Sequence, residues 1–207
     1  MNRKSLFVIL SFIGIGTVVG CKMKASADAV SDSTKLTAAS ATAMSPAEHG
    51  KYLVNLGGCN DCHTPWKPDG KGGAAPDMSR MLSGSPEGMV APAPKLNMPW
   101  IVAASATMTA WSGPWGISYS KNLTPDSTGL GKWDEATFML ALKSGKHMGN
   151  GRPIMPPMPV EAIGKLNDDD LKAIFAYLKT IPAIKNTPPE YQPPVGAATA
   201  SAEPKGK

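Results

Sequence analysis

Cys59-Asn60-Asp61-Cys62-His63 is the segment that decides what this chain of 207 residues folds around. Two cysteines three positions apart, with a histidine directly after the second, can bond both vinyl groups of one porphyrin and hold an imidazole beneath its iron. The chain has three cysteines, and the one outside this motif, Cys21, lies near the amino terminus. The motif therefore predicts one covalent haem c, with thioether bonds to Cys59 and Cys62 and with His63 as an axial ligand.

Two other kinds of site use closely spaced cysteines and compete with haem attachment. A structural zinc site needs four ligands, but the remaining histidines, His49 and His147, are not spaced as the second half of such a motif. A thioredoxin-like redox pair is expected on a βαβ framework, whereas a predicted helix that ends in Gly57-Gly58 precedes these cysteines. Neither alternative explains His63 as well as haem ligation does.

The segment 151–159, with the sequence Gly-Arg-Pro-Ile-Met-Pro-Pro-Met-Pro, is the best source of a second axial ligand among the twelve methionines. Four prolines in seven residues stiffen this backbone, so a methionine is presented here at low entropic cost. The first choice is Met158, enclosed between two prolines, and the alternative is Met155. His147 and His49 are more remote possibilities, and most other methionines are expected to fill gaps in the core.

Capping residues and apolar spacing predict three helices. The first begins with the capping box Ser45-Pro46-Ala47-Glu48 and ends before two glycines. The second spans about 134–144, and the third begins at Asn167, where three successive aspartates complement the helix dipole. Residues 64–122 are rich in glycine, proline, methionine and tryptophan and have no sustained period. This long insertion is either a layer that wraps a buried ligand or a functional addition.

The amino terminus is similar to the signal of a bacterial lipoprotein. A basic start precedes a short apolar run over residues 6–19, and Val18-Val19-Gly20-Cys21 resembles a lipobox. The resemblance implies that residues 1–20 are a signal peptide and that the thiol of Cys21 is acylated. The alternative is an uncleaved membrane anchor, but a spanning helix needs about 20 apolar residues. Either way we expect a periplasmic or cell-surface protein held at a membrane, and Lys22 resembles the sorting pattern for the outer membrane.

Composition divides the mature chain into a tether, one domain and a tail. Residues 21–43 contain the lipidated cysteine and a flexible tether, and residues 188–207 are a predicted disordered tail. One domain, residues 44–187, lies between them and has a normal size for a single core. The formal net charge of +5 falls to +3 once the two basic residues of the signal are removed. Since basic residues form no run, nucleic acid is not an expected partner.

Five motifs together resemble the monohaem class I cytochromes c of bacteria, and the haem-binding part is similar to the haem domains of alcohol-dehydrogenase cytochrome c subunits. These motifs are Cys62-His63-Thr64-Pro65, Gly113-Pro114-Trp115-Gly116, Asn122-Leu123-Thr124-Pro125-Asp126, Gly129-Leu130-Gly131-Lys132-Trp133 and Pro156-Pro157-Met158-Pro159. The resemblance implies an all-α fold whose first and last helices cross beside the haem, near Gly50 and Tyr177. It also implies that Met158 ligates the iron.

Several further residues are candidates for contacts with the cofactor. Pro65 is a candidate to direct a backbone carbonyl toward His63, because ligating histidines usually donate their second N–H to such a group. Four more side chains are candidates to meet the haem propionates, with packing or surface roles as the alternative: Arg152, Trp111, Trp115 and Trp133.

The expected function follows from the ligand pair. Histidine and methionine leave no open position on a haem iron, and methionine raises its reduction potential. We therefore expect an electron-transfer protein, not an enzyme. Its expected partners are a dehydrogenase or quinol-oxidising complex as donor and an oxidase or another cytochrome as acceptor. The alternatives are a peroxidase-like haem enzyme and a gas-binding sensor in which Met158 is displaced.

Overall fold

The computed structural model describes residues 44–194, so the predicted signal peptide, Cys21 and the predicted tether lie outside the described residues. The helices of this part are α1 (Pro46–Leu56), α2 (Cys59–His63), α3 (Glu135–Ser144), α4 (Val160–Ile163) and α5 (Asp168–Leu178). The strands are β1 (Trp66–Pro68), β2 (Ala74–Pro76), β3 (Ala103–Ala104), β4 (Ala110–Gly113) and β5 (Gly116–Tyr119). Within this range no helix has the length and apolar character needed to span a bilayer.

The predicted all-α fold is wrong, because the middle of the chain forms two antiparallel sheets. Strands β1 and β2 pair as a hairpin, and β3, β4 and β5 form a three-stranded sheet in that order. The hairpin between β4 and β5 turns at Pro114-Trp115, with Gly113 opposite Gly116. All five strands are two to four residues long, too short for an alternating apolar pattern to be recognised. The described chain is therefore a mixed α/β structure.

The three helices predicted from the sequence are confirmed as α1, α3 and α5. At the start of α1 the backbone N–H of Ser45 donates to the Glu48 carboxylate at 2.9 Å, and the Glu48 N–H donates back to the Ser45 hydroxyl at 3.3 Å. Asp134 and Asn167 accept from backbone N–H groups in the first turns of α3 and α5. These caps satisfy amides that a helix end leaves without partners.

Helices α1 and α5 pack against each other with almost no space between their backbones. A methyl group on Gly50 of α1 would lie 1.8 Å from the carbonyl oxygen of Ala173 and 2.9 Å from the Cβ of Tyr177, both on α5. Only glycine permits so close an approach. The expected positions of Gly50 and Tyr177 at a crossing of the first and last helices are confirmed.

The main core lies where these two helices meet the middle segment. Eight buried side chains form it: Val54, Leu82, Leu130, Phe138, Ile174, Phe175, Leu178 and Ile181. Cys59 of α2 packs against this cluster, so the core fixes the start of the cysteine motif. A smaller cluster of Ala110, Ile117 and Tyr119 lies in the three-stranded sheet.

Asn186 holds the middle segment against the carboxyl-terminal part of the domain. Its amide is buried, donates to the carbonyls of Ser83 and Ser85 at 2.7 and 2.8 Å, and accepts from the Glu87 N–H at 2.9 Å. A second amide, that of Asn122, donates to the carbonyl of Ile184 at 2.8 Å. Each buried side-chain amide thus satisfies backbone groups that a non-regular segment would leave unpaired.

The tail predicted from residue 188 makes specific contacts in its first residues. Gln192 pairs with Ile117 through two backbone hydrogen bonds of 2.8 and 2.9 Å, and the Tyr191 hydroxyl donates to the Trp115 carbonyl. Packing therefore continues past the predicted domain end at residue 187. Residues 195–207 of the predicted tail lie outside the described residues.

Candidate functional site

The cysteine motif forms the short helix α2, which starts immediately after α1. Gly58 precedes it with φ of +61°, a left-handed conformation that glycine adopts without strain. Cys59 and Cys62 are free thiols, and burial raises the pKa of both. Both side chains line one cavity. The arrangement offers two reduced, unbridged thiols to a molecule bound in that cavity.

The imidazole of His63 is oriented by a carbonyl from the middle segment. Its Nδ1 lies 2.8 Å from the carbonyl oxygen of Lys121, and a carbonyl can only accept, so Nδ1 carries the hydrogen. Nε2 is then the nitrogen with a free lone pair, as a metal ligand requires. Burial lowers the pKa of His63, which favours this neutral form. The imidazole is therefore held in the tautomer that can bind iron through Nε2.

The prediction that Pro65 supplies this carbonyl is wrong. The Pro65 carbonyl accepts instead from the N–H of Asp77 at 2.8 Å. Lys121 is 58 positions from His63 in the chain, and no sequence pattern indicates the contact. It depends on the middle segment folding back onto α2, where the His63 carbonyl also accepts from the Gly84 N–H at 2.7 Å.

The cavity beside α2 has a volume of about 520 Å³, within the range of small-molecule and cofactor sites. The thiols and His63 lie on one side, and residues of β5 and of the 120s form part of the wall. Apolar side chains from α3 and the segment before it complete the enclosure, among them Leu130, Trp133 and Phe138. Such a lining suits a flat apolar molecule with a few polar groups.

The methionine segment forms part of the cavity wall. Both Met155 and Met158 line it. The backbone between them is fixed at Pro156, whose carbonyl accepts from the Ser118 hydroxyl of β5. A second attachment is the Ile154 N–H, which donates to the Gly145 carbonyl at the end of α3 at 2.8 Å. Both methionines therefore stay available as ligands, and the choice of Met158 over Met155 stays a prediction.

The two other histidines differ in their relation to the cavity. His147 lines it and lies edge-on to Trp133, with ring centroids 5.4 Å apart. Burial lowers the pKa of His147, and the neighbouring charges of Arg152 and Lys121 lower it further. His49 is not among the lining residues and pairs with Asp170 of α5 at 2.7 Å. Of the two, only His147 is positioned to meet a bound molecule.

Of the four side chains expected near polar groups of a cofactor, Trp111 lines both this cavity and a smaller one beside it. Its indole nitrogen is covered by protein atoms and has no hydrogen-bond partner among residues 44–194, so this N–H does not face the open space of the cavity. Arg152 and Trp133 also line the cavity, whereas Trp115 does not and donates to the Ser118 hydroxyl at 3.3 Å.

These features fit a haem c and not the two competing sites. Free thiols, an oriented imidazole and apolar walls match the needs of a covalently bound porphyrin. Within the part of the chain described here, no three His, Cys, Asp or Glu side chains are grouped to hold a metal ion. The pairing of its strands is antiparallel throughout, so the cysteines do not lie on a βαβ framework.

Comparison with known proteins identifies relatives at low identity. The chain is 36% identical over 90 residues to a nicotinate dehydrogenase subunit of Pseudomonas putida, which covers 43% of the chain and 8% of that protein. It is 39% identical over 72 residues to the fructose dehydrogenase cytochrome subunit of Gluconobacter japonicus, 34% of the chain and 15% of that protein. A diheme cytochrome c-type protein of Cereibacter sphaeroides is 33% identical over 139 residues, 67% of the chain and 36% of that protein.

These similarities support a cytochrome c. No family model matches the chain. The aligned segments span less than a sixth of the length of the first two relatives, so their activities as whole proteins do not carry over directly. The names of several relatives are those of cytochrome subunits of dehydrogenases, which supports electron transfer and a haem c cofactor.

Proposed function

We propose that this chain is a single-haem electron carrier in which Cys59 and Cys62 bond the porphyrin and His63 and Met158 ligate its iron. The observation that carries the proposal is the convergence of both thiols, the oriented imidazole and the methionine segment on one apolar cavity. When bound, the haem supplies a one-electron redox couple at its iron.

A single haem is proposed because this sequence has one CxxCH motif and no other cysteine pair. The Cereibacter relative is named a diheme protein, but the alignment covers 36% of it. The stoichiometry is measured by the haem content of the purified protein per polypeptide, together with its intact mass. One haem per chain is expected, and a mass that corresponds to two would reject this part of the proposal.

The side chains around the cavity have separable tasks in this function. The Lys121 carbonyl holds the His63 ring in one orientation and tautomer, so the ligand needs little rearrangement when the iron changes charge. Ser118 holds the methionine segment through the Pro156 carbonyl, which keeps this part of the cavity wall in place. The apolar lining would limit the access of water to a bound haem. With His63 and Met158 as its ligands, a bound haem would supply electron transfer and would have no open position for a substrate.

The test is an optical spectrum of the oxidised and reduced holoprotein, extended to the near infrared, for the unmutated protein and for Met158→Ala. The resemblance to class I cytochromes implies a weak near-infrared band for methionine-ligated ferric haem, and Met158→Ala should abolish it. Met155→Ala should retain it. Met78→Ala, a substitution at a methionine that is 57% exposed, is the control for general effects.

Three outcomes would change the assignment, and a fourth would support it. Loss of the band only in Met155→Ala would keep the function and reassign the ligand. A high-spin ferric spectrum in the unmutated protein would mean an open iron position and would favour the peroxidase-like enzyme. Rapid binding of carbon monoxide to the reduced, unmutated protein would favour the gas-binding sensor. A low-spin spectrum with slow or absent binding supports the electron carrier.

The proposed setting is the periplasmic or cell-surface side of a bacterial membrane, with Cys21 as the lipid anchor. The support is the lipobox-like sequence 18–21 after a short apolar run. Labelling with a radioactive or clickable fatty acid should modify the full-length protein and not the Cys21→Ser variant. Equal labelling of the two would reject the anchor.

The proposed donor is a membrane-associated dehydrogenase or a quinol-oxidising complex, and the proposed acceptor is an oxidase or another cytochrome. The names of the relatives support a dehydrogenase as the first candidate. Reduction of the oxidised holoprotein is followed in membranes prepared from the native host after addition of each dehydrogenase substrate. A holoprotein that no respiratory substrate reduces would contradict the proposed role.

A further inference from the structure

An exposed apolar loop, residues 90–102, projects from the three-stranded sheet and is not used by the proposed electron-transfer site. Met98 is 81% exposed, Trp100 is 72% exposed and Ile101 is 55% exposed. Large contiguous apolar patches are rare on soluble proteins and indicate a surface that contacts something else. Four large apolar side chains within five residues, 98–102, form such a patch.

The loop is fixed at its base and exposed at its tip. Near its start the Ala91 N–H donates to the Tyr119 hydroxyl at 3.0 Å, and Met89 and Ala91 pack against the buried cluster of the sheet. Directly after the loop, β3 pairs with β4. The loop therefore presents its apolar tip from a rigid support.

The charge of the loop indicates the kind of partner. Lys95 is the only charged residue among positions 90–102, and none of these residues is acidic. A loop without carboxylates, with one lysine and an exposed tryptophan, matches the phosphate and acyl-chain boundary of a bilayer, where tryptophan and lysine are favoured.

We propose that the tip of this loop, Met98 to Val102, inserts into the surface of a phospholipid bilayer as a second membrane contact. The proposal rests on the membrane location proposed above. The proposed anchor at Cys21 precedes the first described residue, Met44, by 23 positions, a chain length that spans at most about 80 Å even when fully extended. The domain then stays close enough to the bilayer for a weak insertion to be occupied.

Insertion would orient the haem cavity relative to the membrane. Trp111 lines the haem cavity and also a smaller cavity of about 250 Å³ that the base of the loop covers. Loop and haem cavity thus lie on either side of one tryptophan. A domain held at two points presents its haem to membrane-bound partners in fewer orientations than one held by a lipid alone.

The experiment measures binding to vesicles without the lipid anchor. Holoprotein carrying Cys21→Ala is exported with a signal that is not a lipoprotein signal, and its partition onto vesicles of phosphatidylethanolamine and phosphatidylglycerol is measured by flotation. The double variant Trp100→Ser/Ile101→Ser removes the patch. The matched control is Tyr52→Ser/Leu56→Ser, which removes an aromatic and an aliphatic side chain that are 56% and 69% exposed on α1.

We expect the patch variant to partition about ten- to a hundredfold less well than the parent, from the apolar area that would no longer be buried. The control should stay within about twofold of the parent. Equal partition of parent and patch variant, or an equal loss in the control, would overturn the proposal. A parent protein that does not bind vesicles at all would also overturn it, and slower reduction of the patch variant by a lipid-free dehydrogenase would then indicate that the loop contacts a protein instead.

This test is separable from the tests of the proposed function. Vesicle binding by the loop is measurable whether or not Cys21 is acylated in the native host. Fatty-acid labelling at Cys21 combined with no vesicle binding would overturn only the loop insertion. A spectrum without methionine ligation would overturn only the electron-carrier assignment.

Discussion

Replacing Gly50 by alanine tests whether the contact between α1 and α5 is as close as the structure has it. The added Cβ would lie 1.8 Å from the carbonyl oxygen of Ala173, whereas ordinary contact begins at 3.4 Å. The difference between these two distances means that the α5 backbone must move by about 1.6 Å. Such a movement would loosen the core side chains of α5, among them Phe175 and Leu178.

Two opposing terms set the size of the effect. Overpacking a core costs about 1–3 kcal/mol, and the upper end applies because the clash is with backbone that has no rotamer to change. Alanine gains about 1 kcal/mol over glycine in helix propensity. The net loss should be about 2 kcal/mol, or about 4–8 °C in Tm for a domain of this size.

The assay is thermal and denaturant unfolding of the holoprotein, followed by circular dichroism. Lys51→Ala, at the exposed neighbouring position of α1, is the control and should change stability by less than about 0.5 kcal/mol. Because the clashing atoms of Ala173 are backbone, Ala173→Gly should not rescue Gly50→Ala. A Gly50→Ala protein as stable as the parent, or a full rescue by Ala173→Gly, would refute the close approach.

Two further substitutions test other parts of the structure. Asn186→Ala should lower the free energy of unfolding by about 3 kcal/mol, since several buried backbone groups lose their partners; a loss below about 1 kcal/mol in denaturant unfolding would contradict this role. Hydrogen bonds from Ser79 and Lys67 lower the pKa of Asp77 to about 2, so its stabilisation is complete above its unfolded pKa and disappears as the pH falls toward 2. The Tm difference between the parent and Asp77→Asn should therefore be constant above about pH 5 and shrink toward zero between about pH 4 and pH 2. A Tm difference that grows on acidification would contradict the lowered pKa of Asp77.

The helices were predictable because their start and stop residues act locally. Ser45 caps α1 through groups three positions away, and Gly145 ends α3 with φ of +67°. Such interactions are visible in a few consecutive letters. The cysteine motif is recognisable for the same reason, since its three reactive side chains lie within five residues, and its role in haem attachment stays a prediction.

The strands and the partner of His63 depend on long-range pairing and were not predictable. Strand β3 has two residues, which no period can reveal. The bond from His63 to the Lys121 carbonyl joins positions 58 apart, and it follows from the path of the whole middle segment. The predicted end of the domain was too early because the contacts of Gln192 are likewise made with a strand that the sequence did not indicate.

The β4–β5 hairpin explains why a chain with paired first and last helices also contains a sheet. Its register places Trp111 opposite Ser118, and opposite residues in an antiparallel pair share a face. Both residues line the cavity, so one strand pair supplies an indole ring to its wall and the hydroxyl that holds Pro156 of the methionine segment. A slip of one residue would turn both side chains away. Helix packing sets the position of the thiols and the histidine, and strand register sets the opposite wall, so the site needs both kinds of structure.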